Sequence, residues 1–314
     1  MESILCFDVG GTSIKYGLSD EQNKGRLLAR GSLPNVIRTE GAAAFVRSII
    51  AVTDRITAAE KVSGIAISLA GVVDCGTGQL IRPSQYFPGL DRINLSVILG
   101  EKTGLPVSVE NDVNCAALAE YHYGAGKGAR KLLMMTIGTG IGGAILLDGR
   151  LYRGSTFAAG EIGQARLGSA RTWEDWASVT ALLQEAAAVR PDHADKLDGR
   201  AFFALVAAGD GALRQVLAEL VHRWAVGIVS LCWILNPDRV IIGGGISAQH
   251  AVLQPLLDAA LRQEMEPLLR ERTDVCFARL GNDAGMLGAA CYFRQRHRQH
   301  KKDSGAVQVS MEFT

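Results

Sequence analysis

An α/β fold in two related halves is what the 314-residue chain predicts, and three observations carry that expectation. Strand-like and helical stretches alternate along most of the length. A glycine-tipped β-hairpin near the N-terminus has a second copy that begins at Leu132. The length is that of about two domains.

The elements follow in order. Residues 4–7 are a short β-prone run ending in Asp8, Val9, Gly10, Gly11 and Thr12, and residues 14–18 return to an apolar, strand-like pattern, so the two form a hairpin around a glycine tip. Residues 41–57 have helical spacing. Residues 64–68 are a strand ending at Leu69, Ala70 and Gly71; residues 105–109 are a strand ending at Glu110, Asn111 and Asp112; residues 113–123 are a helix. The second hairpin runs from residues 132–135 through the glycine-rich stretch 136–143 into a strand over 144–147 and the turn Asp148, Gly149. Helices are expected over 172–188, 202–207 and 211–235. A strand over 239–242 closes on Gly243, Gly244 and Gly245, and helical stretches follow over 248–269 and 282–298, the last with Gly285 and Gly288 on one face. Beyond Lys301 the chain is polar and expected to fray.

Composition excludes several function classes. With 48% apolar and 21% charged residues the chain is not a disordered tail protein, and Lys plus Arg (33) nearly balance Asp plus Glu (32). The formal charge of +1 supplies no field to draw in nucleic acid or anionic lipid, so neither is an expected partner. No run approaches the roughly 18 consecutive apolar residues of a membrane span. The start at Met1, Glu2 and Ser3 lacks the basic region and apolar core of a signal peptide, so a cytoplasmic protein is expected. Cys6, Cys75, Cys115, Cys232, Cys276 and Cys291 are scattered without a C-x-x-C pair and read as buried thiols of a reducing compartment. The 36 glycines against 8 prolines point to tight backbone loops rather than a flexible linker.

Gly138, Gly140 and Gly143 satisfy the G-x-G-x-x-G spacing, and Glu161 falls near the position of its ribose acid. That fingerprint requires a helix directly after the glycines, whereas residues 144–147 read as a strand, so a nicotinamide-binding domain is not expected. A glycine-tipped hairpin instead offers backbone N–H groups to phosphate oxygens with no Cβ in the way; its alternative is a plain tight turn. Asp8, Thr12 and Lys15 at the first tip and Thr136 and Thr139 at the second add a carboxylate for a metal, hydroxyl donors and a cation. Those are the parts phosphoryl transfer asks for. The triplet at 243–245 follows a strand and precedes a helix, where amides can receive a nucleotide or simply turn the chain. Asp112 stands at a strand end, where ligand chemistry is expected in an α/β sheet, as a base for an attacking hydroxyl; its alternative role is a helix cap. Glu161 in a glycine loop and Glu174 in a capping-box pattern have their own alternatives, a solvated charge and a helix start. His122 and His222 lack metal-spaced partners, and the basic run 294–302 suits a helix C-terminus.

Together these residues resemble the sugar kinases of the ROK family, within the actin/hexokinase-like ATPase superfamily, from about residue 4 to 293. The stretch 8–15 resembles the family's first phosphate hairpin, 110–114 its catalytic segment, 136–143 its second hairpin, 159–163 its sugar loop and 243–245 its nucleotide loop. The resemblance implies two actin-like (ribonuclease H-like) ATPase domains around a central cleft. Their expected bounds are residues 1–114 plus 282–300 and residues 115–281, with a polar tail over 301–314. It implies ATP and Mg²⁺ as cofactors. Asp8, Gly10, Gly11, Thr12, Lys15, Thr136, Gly138, Thr139, Gly140, Gly243, Gly244 and Gly245 would hold the nucleotide, with Asp8 on the Mg²⁺ side. Asp112 would be the general base, and Gly71, Asn111, Asp112, Glu161, Gln164 and Glu174 would surround the sugar. Closure on the sugar would exclude water from the γ-phosphoryl. A homodimer is expected.

Two departures from the family pattern stand out. The family continues its sugar loop with a His and a C-x-C-G-x-x-G-C cluster that binds structural zinc; here Gln164 takes the His position and residues 168–173 contain no cysteine. No zinc is expected. The chain resembles zinc-less members such as the β-glucoside kinases over 103–114 and in the shortened loop, so the expected reaction is phosphorylation of the 6-hydroxyl of glucose or a β-glucoside. An N-acetylhexosamine (N-acetylmannosamine or N-acetylglucosamine) stays open, because the missing His is a donor that helps select the sugar. The family's repressors carry DNA-binding helices ahead of the first hairpin, which here starts at Ile4, so a repressor of that design is not expected; a sugar-sensing regulator without its own DNA-binding domain remains an alternative. A catalytically dead binding module is disfavoured by the joint presence of Asp8, Asp112 and the glycine loops. Trp173 and Trp176 flank Glu174, either to stack on a pyranose or to pack in the core.

Overall fold

The computed structural model describes residues 3–83, 87–167 and 170–311. The N-terminal Met1 and Glu2, and Gly168 and Ser169 of the cysteine-free loop, therefore lie outside the described residues.

Two compact units emerge: Met1–Gly124 with Asn282–Thr314, and Ala125–Gly281. In the first unit β1 (Ser3–Val9) and β2 (Ser13–Ser19) form the expected hairpin, with Asp8 opposite Lys15. A strand the pattern hid, β3 (Arg30–Pro34), adds to β2; it is half-exposed, short, and carries Gly31 and Pro34, both poor strand formers. Helix α1 (Ile37–Thr57) begins before the expected residue 41, with a break at Gly41, where the backbone is left-handed. β4 (Val62–Leu69) runs parallel to β1, and a small separate hairpin of β5 (Gly71–Asp74) and β6 (Gln79–Pro83) follows. α2 (Leu95–Thr103), capped by Asn94, leads to β7 (Val107–Asn111) and directly into α3 (Asp112–Tyr123). The sheet order is β3-β2-β1-β4-β7, around a core that includes Leu5, Phe7, Ile14, Ile49, Ile65 and Val109.

The second unit repeats this plan. β8 (Lys131–Ile137) and β9 (Ile141–Leu147) are the second hairpin, and β10 (Arg150–Tyr152) extends it. The expected helix over 172–188 is two helices, α4 (Trp173–Ala177) and α5 (Val179–Val189). They separate at Ser178, whose extended backbone lets its hydroxyl accept from Ala181 N and cap α5. α6 (Gly199–Ala207) and α7 (Gly211–Leu235) follow, then β11 (Arg239–Gly243). The helix expected over 248–269 starts with a 3₁₀ turn over Gly245–Gln249, continues as α8 (His250–Glu264) and breaks before α9 (Pro267–Arg270), because Pro267 has no N–H to extend α8 and suits a helix's first turn. β12 (Asp274–Phe277) completes the order β10-β9-β8-β11-β12. Each sheet thus has an antiparallel trio followed by two parallel strands, the doubled plan of the actin-like fold. α7 is long and apolar enough to cross a membrane, but Leu213, Leu217, Leu220, Trp224 and Ile228 bury its inner face in this unit's core.

The C-terminal helix, Ala284–Met311, returns to the first unit and packs on α3, β1 and β4. A Cβ at Gly288 would lie 1.6 Å from the Cys115 carbonyl oxygen, so the glycine face noted in the sequence lets this helix meet α3 backbone to backbone. The polar tail expected to fray is helical as far as Met311. The domain boundary expected after Asn114 falls after Gly124, since α3 is one continuous helix held along the C-terminal helix.

Candidate active site

In the first unit the residues expected to do chemistry gather at one end of the sheet. Parallel register sets Asp8 of β1 beside Ser68 of β4, and antiparallel register sets it beside Lys15 of β2. Ser68, fully buried, donates its hydroxyl to Asp8 Oδ1 at 2.9 Å, and Lys15 Nζ lies 3.4 Å from Asp8 Oδ2. Gly285 of the C-terminal helix closes in behind: a Cβ there would come within 2.4 Å of Asp8 Oδ1. The hairpin tip of Gly10, Gly11 and Thr12 stands at the end of β1, with Gly10 N bonded across to Ser13 O at 3.0 Å.

The turn from β7 into α3 supplies the next group. Asn111, not Asp112, is the helix cap: its Oδ1 accepts from Asn114 N at 2.9 Å while its Nδ2 donates to Gly71 O at 3.0 Å. Asp112 is released from capping and is half-buried at the first helical position, its Oδ1 accepting from Val113 N at 3.0 Å. Beneath them the buried Glu110 Oε1 accepts from Asn111 N and from Asn114 Nδ2, both at 2.9 Å. Burial first, then the negative charges of Glu110, Asp8 and Asp112, pushes the Cys115 thiol well above its ordinary value. The thiol therefore stays protonated.

In the second unit the tip Gly138, Thr139, Gly140 follows Thr136 at the end of β8, and β9 begins at Ile141 as a strand, as the context argument against a dinucleotide fingerprint requires. The loop carrying Glu161 lies flush on this hairpin. Gly160 has φ +98°, and a Cβ there would stand 2.6 Å from Gly143 O, which only glycine tolerates. Glu161 is exposed at the loop's turn. Glu174 is not part of the capping box, which Thr172 and Asp175 make between them. Its carboxylate instead bridges two predicted segments: Oε1 accepts from Gln164 Nε2 at 2.6 Å, and Oε2 from Ile141 N at 3.3 Å. Gly244, with φ +84°, presses on the end of β8, where a Cβ would meet Ile137 O at 2.3 Å, whereas Gly138 and Gly245 face open space. Trp173 is core: fully buried, it packs over Gly227 and donates Nε1 to Arg223 O. Trp176 lies under the Arg223 guanidinium, 5.6 Å from ring centre to Cζ. Neither indole is placed as a platform beside Glu174.

Each unit thus carries a glycine-tipped hairpin with a carboxylate-bearing segment beside it. Ser68, Asn35 and Thr180, which contact these tips or Asp8, were not singled out by motif reading. Ser68 lies level with Asp8 in the parallel register of β1 and β4, an alignment that only the folded sheet sets.

The profile of the ROK family matches residues 4–296. The beta-glucoside kinase of Listeria monocytogenes is 33% identical over 307 residues, covering 95% of this chain and 99% of its own length. The glucokinase of Streptomyces coelicolor is 33% identical over 323 residues, covering 92% and 96%. Among solved structures, a ROK family glucokinase from Streptomyces griseus in complex with glucose and AMPPNP superposes with a TM-score of 0.78 at 28% identity, covering 92% of this chain and 98% of that one. The chain belongs to the ROK family.

Proposed function

We propose that this chain is an ATP-dependent sugar kinase that transfers the γ-phosphoryl group to the 6-hydroxyl of glucose or a β-glucoside. The observation that carries the reading is the Asn111–Asp112 turn. Asn111 takes over helix capping and is tethered to Gly71 O, which leaves Asp112 as a carboxylate held at the end of a parallel strand. Asp112 orients the sugar hydroxyl and accepts its proton as the new O–P bond forms and the bond from the γ-phosphorus to the bridging oxygen of ADP breaks. Asn111, Glu161, Gln164 and Glu174 are assigned to the sugar's other hydroxyls. The backbone amides of the two hairpin tips and of residues 243–245 are assigned to the phosphates, with Lys15 as the cation.

Mg²⁺ fits Asp8. The side chain is 20% exposed and its Oδ2 is only loosely paired at 3.4 Å, and one carboxylate together with phosphate oxygens and water is the usual Mg²⁺ environment. There the ion would neutralise charge on the phosphates. Among the described residues no group of three or more His, Cys, Asp or Glu is arranged to hold a metal. The proposal includes no structural zinc, which elemental analysis finding one zinc per chain would overturn.

Support for glucose or a β-glucoside comes from the relatives of those names. Gln164 in the place of the family's His removes a donor that helps select the sugar, which keeps an N-acetylhexosamine as the second reading. A coupled ADP-release assay with glucose, cellobiose, N-acetylglucosamine and N-acetylmannosamine separates them: turnover with either of the first two supports the proposal, and turnover confined to the N-acetyl sugars replaces it. A cytoplasmic homodimer acting on a small-molecule sugar, with neither nucleic acid nor membrane as partner, belongs to the same proposal.

A further inference from the structure

The two hairpin tips are held in the same way by unrelated residues. In the second unit, where α5 begins, Val179 N donates to Gly138 O at 2.8 Å and Thr180 Oγ1 donates to Thr139 O at 2.7 Å. In the first unit Asn35 does both jobs: its Nδ2 donates to Gly10 O at 2.8 Å and its backbone N to Thr12 O at 3.0 Å. Each tip has two carbonyl oxygens fastened to donors outside the hairpin.

Peptide planarity gives this a consequence. In a trans peptide the carbonyl of one residue and the N–H of the next point in opposite directions, and none of the described peptides is cis. Fastening Gly138 O and Thr139 O onto α5 turns the N–H groups of Thr139 and Gly140 away from it. Fastening Gly10 O onto Asn35 turns the Gly11 N–H away in the same manner. None of these three N–H groups has a hydrogen-bond partner among the described residues. Their neighbours do: Gly138 N bonds Gly140 O, and Ile141 N bonds Glu174. A glycine-rich tip without such anchors is free to rotate its peptide planes and present carbonyl oxygens, which repel phosphate, in place of amides, which bind it.

We propose that Thr180 and Asn35 are positioning residues for nucleotide binding, which fasten the tip carbonyls so that the Thr139, Gly140 and Gly11 amides are aimed at the phosphates. This rests on the reading of the chain as an ATP-dependent kinase. Neither side chain is assigned a contact with the ligand. Asn35 is fixed at both ends, since its Oδ1 accepts from Ile37 N at 3.1 Å. Thr180 is exposed, so exchanging its hydroxyl for a methyl leaves the packing of α5 intact.

Thr180→Val, Thr180→Ser, Asn35→Ala and Gly138→Val test it, with the affinity for a non-hydrolysable ATP analogue measured by calorimetry and KM for ATP and for the sugar measured separately. Loss of one such hydrogen bond should weaken analogue binding and raise KM for ATP by about two- to tenfold in Thr180→Val and Asn35→Ala. KM for the sugar should stay at the wild-type value, and Thr180→Ser should recover ATP affinity. A merely structural role would move both KM values together, and that result overturns the proposal. If Thr180→Val binds the analogue as tightly as wild type while Gly138→Val has lost it, the anchoring role is wrong and the kinase reading stands. If Gly138→Val also binds normally, the second tip is not a phosphate site, and both fall.

Discussion

Asn111 caps α3, whereas its neighbour Asp112 is the proposed general base. Asp112→Asn should therefore fold normally and bind sugar within a few-fold of wild type, while turnover falls by about 100-fold or more, the usual scale of a general base; near-normal turnover would remove Asp112 from that role. The thiols make a second residue-level test. Cys6, Cys115, Cys232 and Cys291 are buried, and burial raises the Cys6 thiol to about 12 and those of Cys232 and Cys291 to about 11. Native protein at pH 8 should let a thiol reagent react rapidly with at most Cys75 and Cys276, and denatured protein with all six. The candidate side chains themselves were legible because each sits in a short local context, a glycine tip or a strand end. Their neighbours were not: nothing in the stretch around Ser68 announces that it lies 2.9 Å from Asp8, since that contact depends on how two strands 60 residues apart align.

At the scale of elements, the junction of α3 with the C-terminal helix is the most demanding packing in the first unit. Gly288→Ala drives a methyl into the Cys115 carbonyl and should lower unfolding free energy by about 1–3 kcal/mol, read from urea denaturation, as overpacking does. The same junction carries a small pH response. His122 is exposed on its outer side, but the part of the ring turned to the protein is desolvated, which lowers its pKa below the ordinary 6.5, and the ring lies 3.2 Å from Gln295 Nε2 on the C-terminal helix. A base whose folded pKa is depressed binds protons more readily in the unfolded chain. Its contribution is therefore complete above about pH 6.5 and declines as pH falls toward the lowered folded value. Because solvent screens an exposed ring, the effect is small: His122→Gln should make the fall in melting temperature between pH 7.5 and 5.5 slightly shallower, and a steeper fall in the variant would contradict the sign of the shift. Long periodic helices and the two hairpins were readable from spacing. The short strands β3, β10 and β12 were not, because strands of three to five residues with mixed exposure carry little pattern of their own and persist only through a neighbouring strand.

Across the whole molecule, the first unit is discontinuous in sequence: its last helix is contributed from beyond the second unit. Truncation before Asn282 strips the cover from β1 and β4, where Leu287, Ala290 and Phe293 are buried, and should leave the protein insoluble or unable to bind ligand, as a soluble-fraction assay would show. A bound substrate should stabilise the whole chain by mass action. A sugar at 100 times its dissociation constant adds about 2.7 kcal/mol, so a thermal-shift panel ranks the candidate sugars without any assay of turnover. Local chemistry along the chain was enough to foresee an α/β protein with duplicated glycine hairpins, the strand-end carboxylates and the family, since turns, alternation and spacing are properties of a few consecutive residues. The partnership of Glu174 with both Gln164 and Ile141, the hold of Asn35 and Thr180 on the tips, and the passing of the cap from Asp112 to Asn111 came only with the folded chain. They are hydrogen bonds between groups whose distance in space is set by sheet register and helix packing, and no local pattern encodes that distance.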